Sequence, residues 1–311
     1  MDNKPILEVR DLCKTMGGRP IIKSISFDAY AGEVFGFLGP NGAGKTTTIK
    51  MMLGLLSIDS GTVTIDGHNT VKEFETAMEN VGGIVENPEL YKYLTGWQNL
   101  KQYARIRKNI SKERMEYLVE FVGLQNRIKE KVKRYSLGMK QRLGIAQSLL
   151  HSPRLLVLDE PTNGLDPAGI KELRDILKKI AHELNSCVFV SSHLLSEMEL
   201  MCDRVCIIAD GNILGVKPIG ELMHSQETTP IYRFTVSNVE AALAALALPR
   251  ETFSEITATT FDLPIESEQQ LADINMKLIT AGIMLMGCTR LERRLEDIFI
   301  EITKTGGTQI A

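Results

Sequence analysis

The sequence predicts an α/β protein built around a parallel sheet. Three observations carry this. A glycine-rich loop, Gly39-Pro-Asn-Gly-Ala-Gly-Lys-Thr-Thr47, lies between the apolar run Val34 to Leu38 and the helix-forming run Thr48 to Leu53. A second apolar run, Leu155 to Leu158, ends in the acidic pair Asp159-Glu160. From 154 to about 216, strand-like and helix-like segments alternate, the pattern of parallel strands joined by crossover helices.

The loop has the full G-x-x-x-x-G-K-[ST] spacing, in the order strand, loop, helix. Glycines let successive backbone N–H groups turn inward around a phosphate. The helix starting near Gly44 adds its partial positive charge. Lys45 can reach the β- and γ-phosphates, and the Thr46 hydroxyl can ligate Mg²⁺. Gly39, Pro40, Asn41, Gly42, Ala43, Gly44, Lys45, Thr46 and Thr47 are therefore the expected nucleotide-binding residues, with ATP and Mg²⁺ as ligands. A glycine-rich βα turn that binds nothing is the bland alternative; the complete spacing and both flanks argue against it. Strand ends of an open α/β sheet face the ligand crevice, which puts Asp159 in place to hold Mg²⁺. Glu160, one residue on, is expected to polarise the attacking water.

Tyr135-Ser-Leu-Gly-Met-Lys-Gln-Arg142 leads into a helical pattern just before the Asp159 strand. Ser136 can cap that helix, and Gly138 lets the backbone approach an anion. Here the chain resembles the ABC ATPases, whose signature motif sits between the two Walker motifs and usually reads Leu-Ser-Gly-Gly-Gln. Ser136 and Gly138 match; Tyr135, Leu137 and Met139 depart. Asn163-Gly-Leu-Asp-Pro167 is similar to the family's D-loop, with Asp166 as the residue that touches a partner subunit. Ser191-Ser-His193 follows an apolar strand and matches the switch histidine, so His193 is expected at the γ-phosphate. A lone His after a strand is more often a surface residue; its place one βα unit beyond Asp159 reverses that reading. The resemblance covers roughly residues 5 to 222.

Two departures touch the nucleotide. The family usually places a Gln after the strand Val81 to Val85; here it is Glu86, which can also ligate a hard cation but adds negative charge. The family usually stacks an aromatic residue on adenine; the aligned position is Met16, whose thioether packs with less fixed geometry. Looser base selectivity is the expectation. Glu86 to Tyr91, with Leu94-Thr-Gly96 and Tyr135, resembles the ATPases of bacterial drug and peptide-antibiotic exporters of the bacitracin-resistance and lantibiotic-immunity kind. That resemblance implies outward transport.

Composition excludes several classes. The chain has 311 residues, 43% hydrophobic and 24% charged, which is ample for a sizeable core. No apolar run reaches the roughly 18 residues a bilayer span needs, and Met1 to Pro5 shows no signal-peptide pattern. A cytoplasmic protein, peripheral on the inner face of the cell membrane through a polytopic permease subunit, is expected. Net charge is −3, so no nucleic-acid partner is expected. Residues 101–134 nevertheless carry eleven Lys or Arg against four Glu, and 221–311 carry seven against thirteen acids. Solvated helix faces are the plain reading of both; the sharper one sets Lys101, Arg105 and Arg107 near an anionic leaflet or an acidic partner. Of the five cysteines, Cys13 and Cys187 read as core fillers; Cys202 and Cys206 lack the second pair that a zinc site wants. Reduced thiols fit the cytosol.

The chain divides into a P-loop ABC cassette over 1–222, a RecA-like core with a helical subdomain at about 96–152, and a small α+β extension over 223–311. Asp66-Gly67 and Asp210-Gly211 read as hairpin turns. In the extension, strands are expected at 231–236, 257–263 and 283–286, and helices at 239–248, 271–279 and 291–302. The last helix contains Leu295-Glu-Asp-Ile-Phe299, similar to the extension of drug-export ATPases, and the Gly306-Gly307 tail reads as disordered. No catalytic constellation is visible there, so pairing of subunits or control of the cassette is its expected role.

The catalytic set expected is Glu160, His193 and Lys45. The metal set is Thr46, Asp159 and Glu86. Ser136, Gly138, Asp166 and Met16 complete the nucleotide contacts. Because the family's signature serves a partner's nucleotide, a head-to-tail homodimer or paired cassette would complete two sites. The residues leave alternatives open: a soluble ABC ATPase acting on ribosomes or DNA, a P-loop GTPase or kinase, or a non-hydrolytic regulatory or sequestration subunit. The first usually has two cassettes or a long insertion, and the second would need an Asn-Lys-x-Asp motif, which is absent.

Overall fold

The computed structural model describes residues 4–107, 109–224 and 230–291. They form two units that divide after Leu222. The first begins with β1 (Leu7–Met16), β2 (Arg19–Ala29), β3 (Val34–Leu38), α1 (Lys45–Met52), β4 (Ser60–Ile65) and β5 (His68–Asn69). It continues with α2 (Phe74–Glu79), β6 (Val81–Ile84), α3 (Gly96–Ile106), α4 (Lys112–Phe121) and α5 (Leu137–Ser148). It closes with β7 (Leu155–Asp159), α6 (Pro167–His182), β8 (Cys187–Ser192), α7 (Leu195–Met201), β9 (Arg204–Ala209), β10 (Asn212–Pro218) and α8 (Ile219–His224).

Two sheets share this unit. One is antiparallel, ordered β2-β1-β4-β5; the other is ordered β10-β9-β3-β8-β7-β6. The second is parallel from β9 to β6, with β10 antiparallel at its edge. Its inner strands β3, β7 and β8 are buried at every position, as continuous apolar runs covered on both faces must be. Phe27 of β2 bridges the sheets, packing on Phe35, Phe37 and Phe189 with ring centroids 5.4–6.0 Å apart. Asp66-Gly67 and Asp210-Gly211 both have positive φ at each central residue, the two-residue turn whose twist suits a hairpin.

Local chemistry accounts for the helices. Thr95 and Gln98 make a reciprocal capping box at the start of α3, and Ser111 caps α4. Along α6, Leu173, Ile176, Leu177 and Ile180 recur at helical spacing and are buried, while the opposite face is charged.

The second unit contains β11 (Ile231–Val236), α9 (Val239–Leu246), β12 (Thr260–Pro264), α10 (Glu268–Thr280) and β13 (Leu285–Leu291). Its sheet is antiparallel, ordered β12-β11-β13. The core gathers Phe234, Val236, Phe261, Leu263 and Leu278. On the other face of β11 and β12, Arg233 grips the buried Asp262 through two 2.7 Å hydrogen bonds. β12 starts at Thr260, later than the sequence pattern implied, because Thr257 turns back and its N–H donates to the Thr260 carbonyl. β13 runs well past Met286 to Leu291, because it pairs with the whole length of β11. Its last residue was expected to open a helix. The rest of that expected helix, the Leu295–Phe299 motif and the Gly306-Gly307 tail lie outside the described residues.

Candidate functional site

The parallel register brings three strand ends to one edge. Leu38 of β3 pairs with Ser192 of β8, and Asp159 of β7 pairs with Ser191. The loop after Leu38, the Asp159-Glu160 pair and His193 therefore emerge side by side.

The glycine loop is built for close approach. Gly44, the N-cap of α1, has φ 106°, and a Cβ there would lie 2.4 Å from Ile22 Cδ1. Gly39 has no room either: a Cβ would meet the Ile208 carbonyl at 2.3 Å. Pro40, Asn41 and Gly42 are exposed, Ala43 is buried, and Thr46 and Thr47 are half-buried. Lys45 is 6% exposed; its Nζ donates to the carbonyls of Gly39 at 2.7 Å and Pro40 at 3.3 Å. The ammonium thus curls over the loop and also pairs with Glu160 Oε1 at 3.2 Å.

The acidic pair is held by hydroxyls. Thr46 Oγ1 donates to Asp159 Oδ2 at 2.9 Å, and Ser191 Oγ donates to Asp159 Oδ1 at 2.6 Å. The same Ser191 oxygen accepts the Glu160 N–H at 2.9 Å. Glu160 has φ 48°, a left-handed conformation that costs a non-glycine residue on the order of 1 kcal/mol or more. This sharp turn leaves its carboxylate between Lys45 and His193, whose Nδ1 lies 2.8 Å from Glu160 Oε2. Sequence reasoning passed over Ser191 as a site residue; the signal was its place opposite Asp159, visible only once the two strands are paired.

The remaining candidates make local contacts of their own. Ser136 caps α5 by accepting from Met139 N at 3.2 Å, and Asp166 caps α6 by accepting from Gly169 N at 3.0 Å. Gly138 faces this second turn: a Cβ on it would lie 3.8 Å from Leu165 Cδ2. Among the described residues no hydrogen bond joins Ser136 or Asp166 to Lys45, Asp159 or Glu160. Met16, at the end of β1, is 48% exposed. Among the described residues no hydrogen bond joins Glu86 to Thr46 or Asp159. It has φ 69° and its carboxylate, 67% exposed, pairs instead with Lys50 at 3.3 Å. A third carboxylate beside Asp159 and Glu160 would face like-charge repulsion, whereas the exposed Lys50 attracts it.

A strand-end phosphate loop, a lysine over it, and an adjoining acidic pair on a parallel sheet define a P-loop nucleoside-triphosphatase. Comparison with known proteins is narrower. Residues 22–163 match the model of the ABC transporter family. An uncharacterized ABC transporter ATP-binding protein, YhcH of Bacillus subtilis (strain 168), is 47% identical over 96% of both chains. The bacitracin transport ATP-binding protein BcrA of Bacillus licheniformis is 38% identical, over 97% of this chain and 98% of its own. A solved ATP-binding subunit of an ABC transporter superposes with a TM-score of 0.63 at 29% identity, over 71% of this chain and 92% of that one. The chain belongs to the ABC transporter family, as an ATP-binding subunit with ATPase activity.

Proposed function

We propose that this chain hydrolyses ATP to drive a separate polytopic permease that exports an antimicrobial peptide of the bacitracin or lantibiotic kind. The observation that carries the reading is full-length similarity to BcrA, together with 40% identity to the lantibiotic transport ATP-binding protein SrtF of Streptococcus pyogenes over 71% of this chain. Among the described residues no helix is long and apolar enough to cross a membrane, so the path for cargo belongs to another subunit. The chain would work at the inner face of the membrane, against that subunit.

In this reading the loop from Gly39 to Thr47 wraps the phosphates and Lys45 swings from its own carbonyls onto the γ-phosphate. Thr46 and Asp159 would hold Mg²⁺: two hard oxygens 2.9 Å apart suit a cation that keeps several waters. Bound there, Mg²⁺ would neutralise charge on the phosphate oxygens. Glu160 orients and deprotonates the attacking water, and His193 positions Glu160 and senses the γ-phosphate. Ser136, Gly138 and Asp166 would serve a second cassette's nucleotide, in a homodimer or paired cassette; the absence of a hydrogen bond from Ser136 or Asp166 to Lys45, Asp159 or Glu160 among the described residues is consistent with this. Met16 packs on the base. Glu86, tied to Lys50, acts as a link toward the permease. Its chain neighbours Val85 and Asn87 line a cavity of about 450 Å³ together with Pro88, Tyr103, Ile106 and His151, where we place the permease contact. Residues 1–222 carry this chemistry, and 223–311 serve pairing or control.

The test joins chemistry to cargo. Glu160→Gln should bind ATP, lose about 10²- to 10⁴-fold in turnover and trap a dimer that retains the permease. Cells carrying the intact pair should resist bacitracin or a lantibiotic, and Lys45→Ala should abolish that resistance. Undiminished turnover in Glu160→Gln, or resistance indifferent to Lys45→Ala, would sink the reading.

A further inference from the structure

One carboxylate oxygen of Glu197 accepts hydrogen bonds from two different turns. Thr162 Oγ1 donates to Glu197 Oε2, and Ser192 Oγ donates to the same oxygen at 3.4 Å. Thr162 lies two residues beyond Glu160, and Ser192 immediately precedes His193. Both hydroxyl residues are buried, Thr162 at 3% and Ser192 at 1% exposure. Ser192 Oγ also accepts the Leu194 N–H at 3.0 Å, which closes the turn around His193. Glu197 projects from the first turn of α7, a helix anchored by buried Leu195, Met198 and Met201. A rigid element therefore presents one acceptor to both turns.

We propose that Glu197 is a positioning residue that holds the Glu160 turn and the His193 turn in register. It acts through the two hydroxyls it accepts from. Its work is to keep His193 Nδ1 at 2.8 Å from Glu160 Oε2. Without it, two buried hydroxyls lose their shared acceptor and the turns are free to separate. A shift near 1 Å in such a pair can cost about a hundredfold in rate. The proposal rests on the ATPase reading above.

The experiment is steady-state ATP hydrolysis and thermal melting of the full chain carrying Glu197→Ala, Glu197→Gln, Thr162→Val, His193→Ala, or Glu197→Ala with His193→Ala. Glu197→Ala should lower kcat by about ten- to a hundredfold while KM for ATP stays within about twofold. Glu197→Gln, whose amide oxygen can accept from both hydroxyls, should recover most of the rate. The double variant should be no slower than His193→Ala by more than about twofold, because Glu197 acts through His193. Three results would overturn the proposal: an unchanged kcat in Glu197→Ala, multiplicative losses in the double variant, or a Gln variant as slow as the Ala one. The last would assign Glu197 to the helix terminus and its charge alone. If Glu197→Ala does not fold, Thr162→Val decides: it keeps the side-chain shape, and a normal kcat refutes the linkage. A wild-type chain without ATPase activity would instead refute the underlying reading.

Discussion

Tyr135 stands where the family's signature usually begins with leucine, and the structure accounts for the larger residue. Its ring is 4% exposed, and its hydroxyl donates to the Arg127 carbonyl at 2.8 Å. Gly96 makes the room: a Cβ at that position would lie 2.4 Å from the Tyr135 oxygen. Tyr135→Phe removes only the hydroxyl. The Arg127 carbonyl would keep its other donor, the Glu130 N–H at 2.9 Å. The loss is therefore that of one net hydrogen bond, about 1 kcal/mol, and not the roughly 3 kcal/mol of an orphaned buried group. In urea this is a midpoint shift of about 0.3–1 M, taking slopes of about 1–3 kcal/mol/M. Trp97, the chain's one tryptophan, reports it by fluorescence, because it lies next to Gly96 and donates its N–H to the Ile128 carbonyl at 2.9 Å. An unshifted midpoint would show that the hydroxyl contributes nothing. A loss near 3 kcal/mol would show that the carbonyl has no second partner in solution. Burial also pushes the phenol up to about 12 from its ordinary 10.0. The stability tied to the neutral phenol is fully present below pH 10 and lost as pH rises through about 12. In an absorbance titration Tyr135 should ionise late, and the Tyr135→Phe chain should lack that step.

Phe27→Ala should cost about 3–5 kcal/mol in denaturant unfolding, because it empties the contact between the two sheets that Phe35, Phe37 and Phe189 share. Gly44→Ala should weaken ATP binding by at least about tenfold in a titration, since φ 106° and the Ile22 side chain both resist a Cβ. Burial holds the His151 imidazole below its ordinary pKa of 6.5, and its Nε2 lies 3.0 Å from the Val81 carbonyl. The stability this contributes is present above pH 6.5 and lost as pH falls toward the lowered value. His151→Gln should flatten that acid limb of the pH–stability curve, and an unchanged limb would assign it to other groups.

Much of the site could be read along the chain because its parts are local. The phosphate loop needs glycines at fixed spacing between one strand and one helix, so nine consecutive residues display it. Ser136 and Asp166 cap helices through bonds to residues three positions away. Asp210-Gly211 turns a hairpin by the φ angles its own two residues adopt. Such features depend on backbone preferences and neighbours that the sequence lists side by side.

What only the tertiary structure decided lies between distant residues. Thr46 and Asp159 are 113 positions apart, and Glu160 and His193 are 33 apart; the register of β3, β7 and β8 makes each pair neighbours. The left-handed turn at Glu160, its anchoring by Ser191, and the resting place of Lys45 on its own loop follow from that register. The pairing of Glu86 with Lys50, 36 positions away, is likewise something the motif position alone does not display. β13 extended to Leu291 because β11 offered unpaired backbone groups, a demand that its own sequence does not record. The sequence by itself determined the chemical groups and the local turns and caps. Their distances and pairings were decided by strand order and packing, which depend on the whole chain at once.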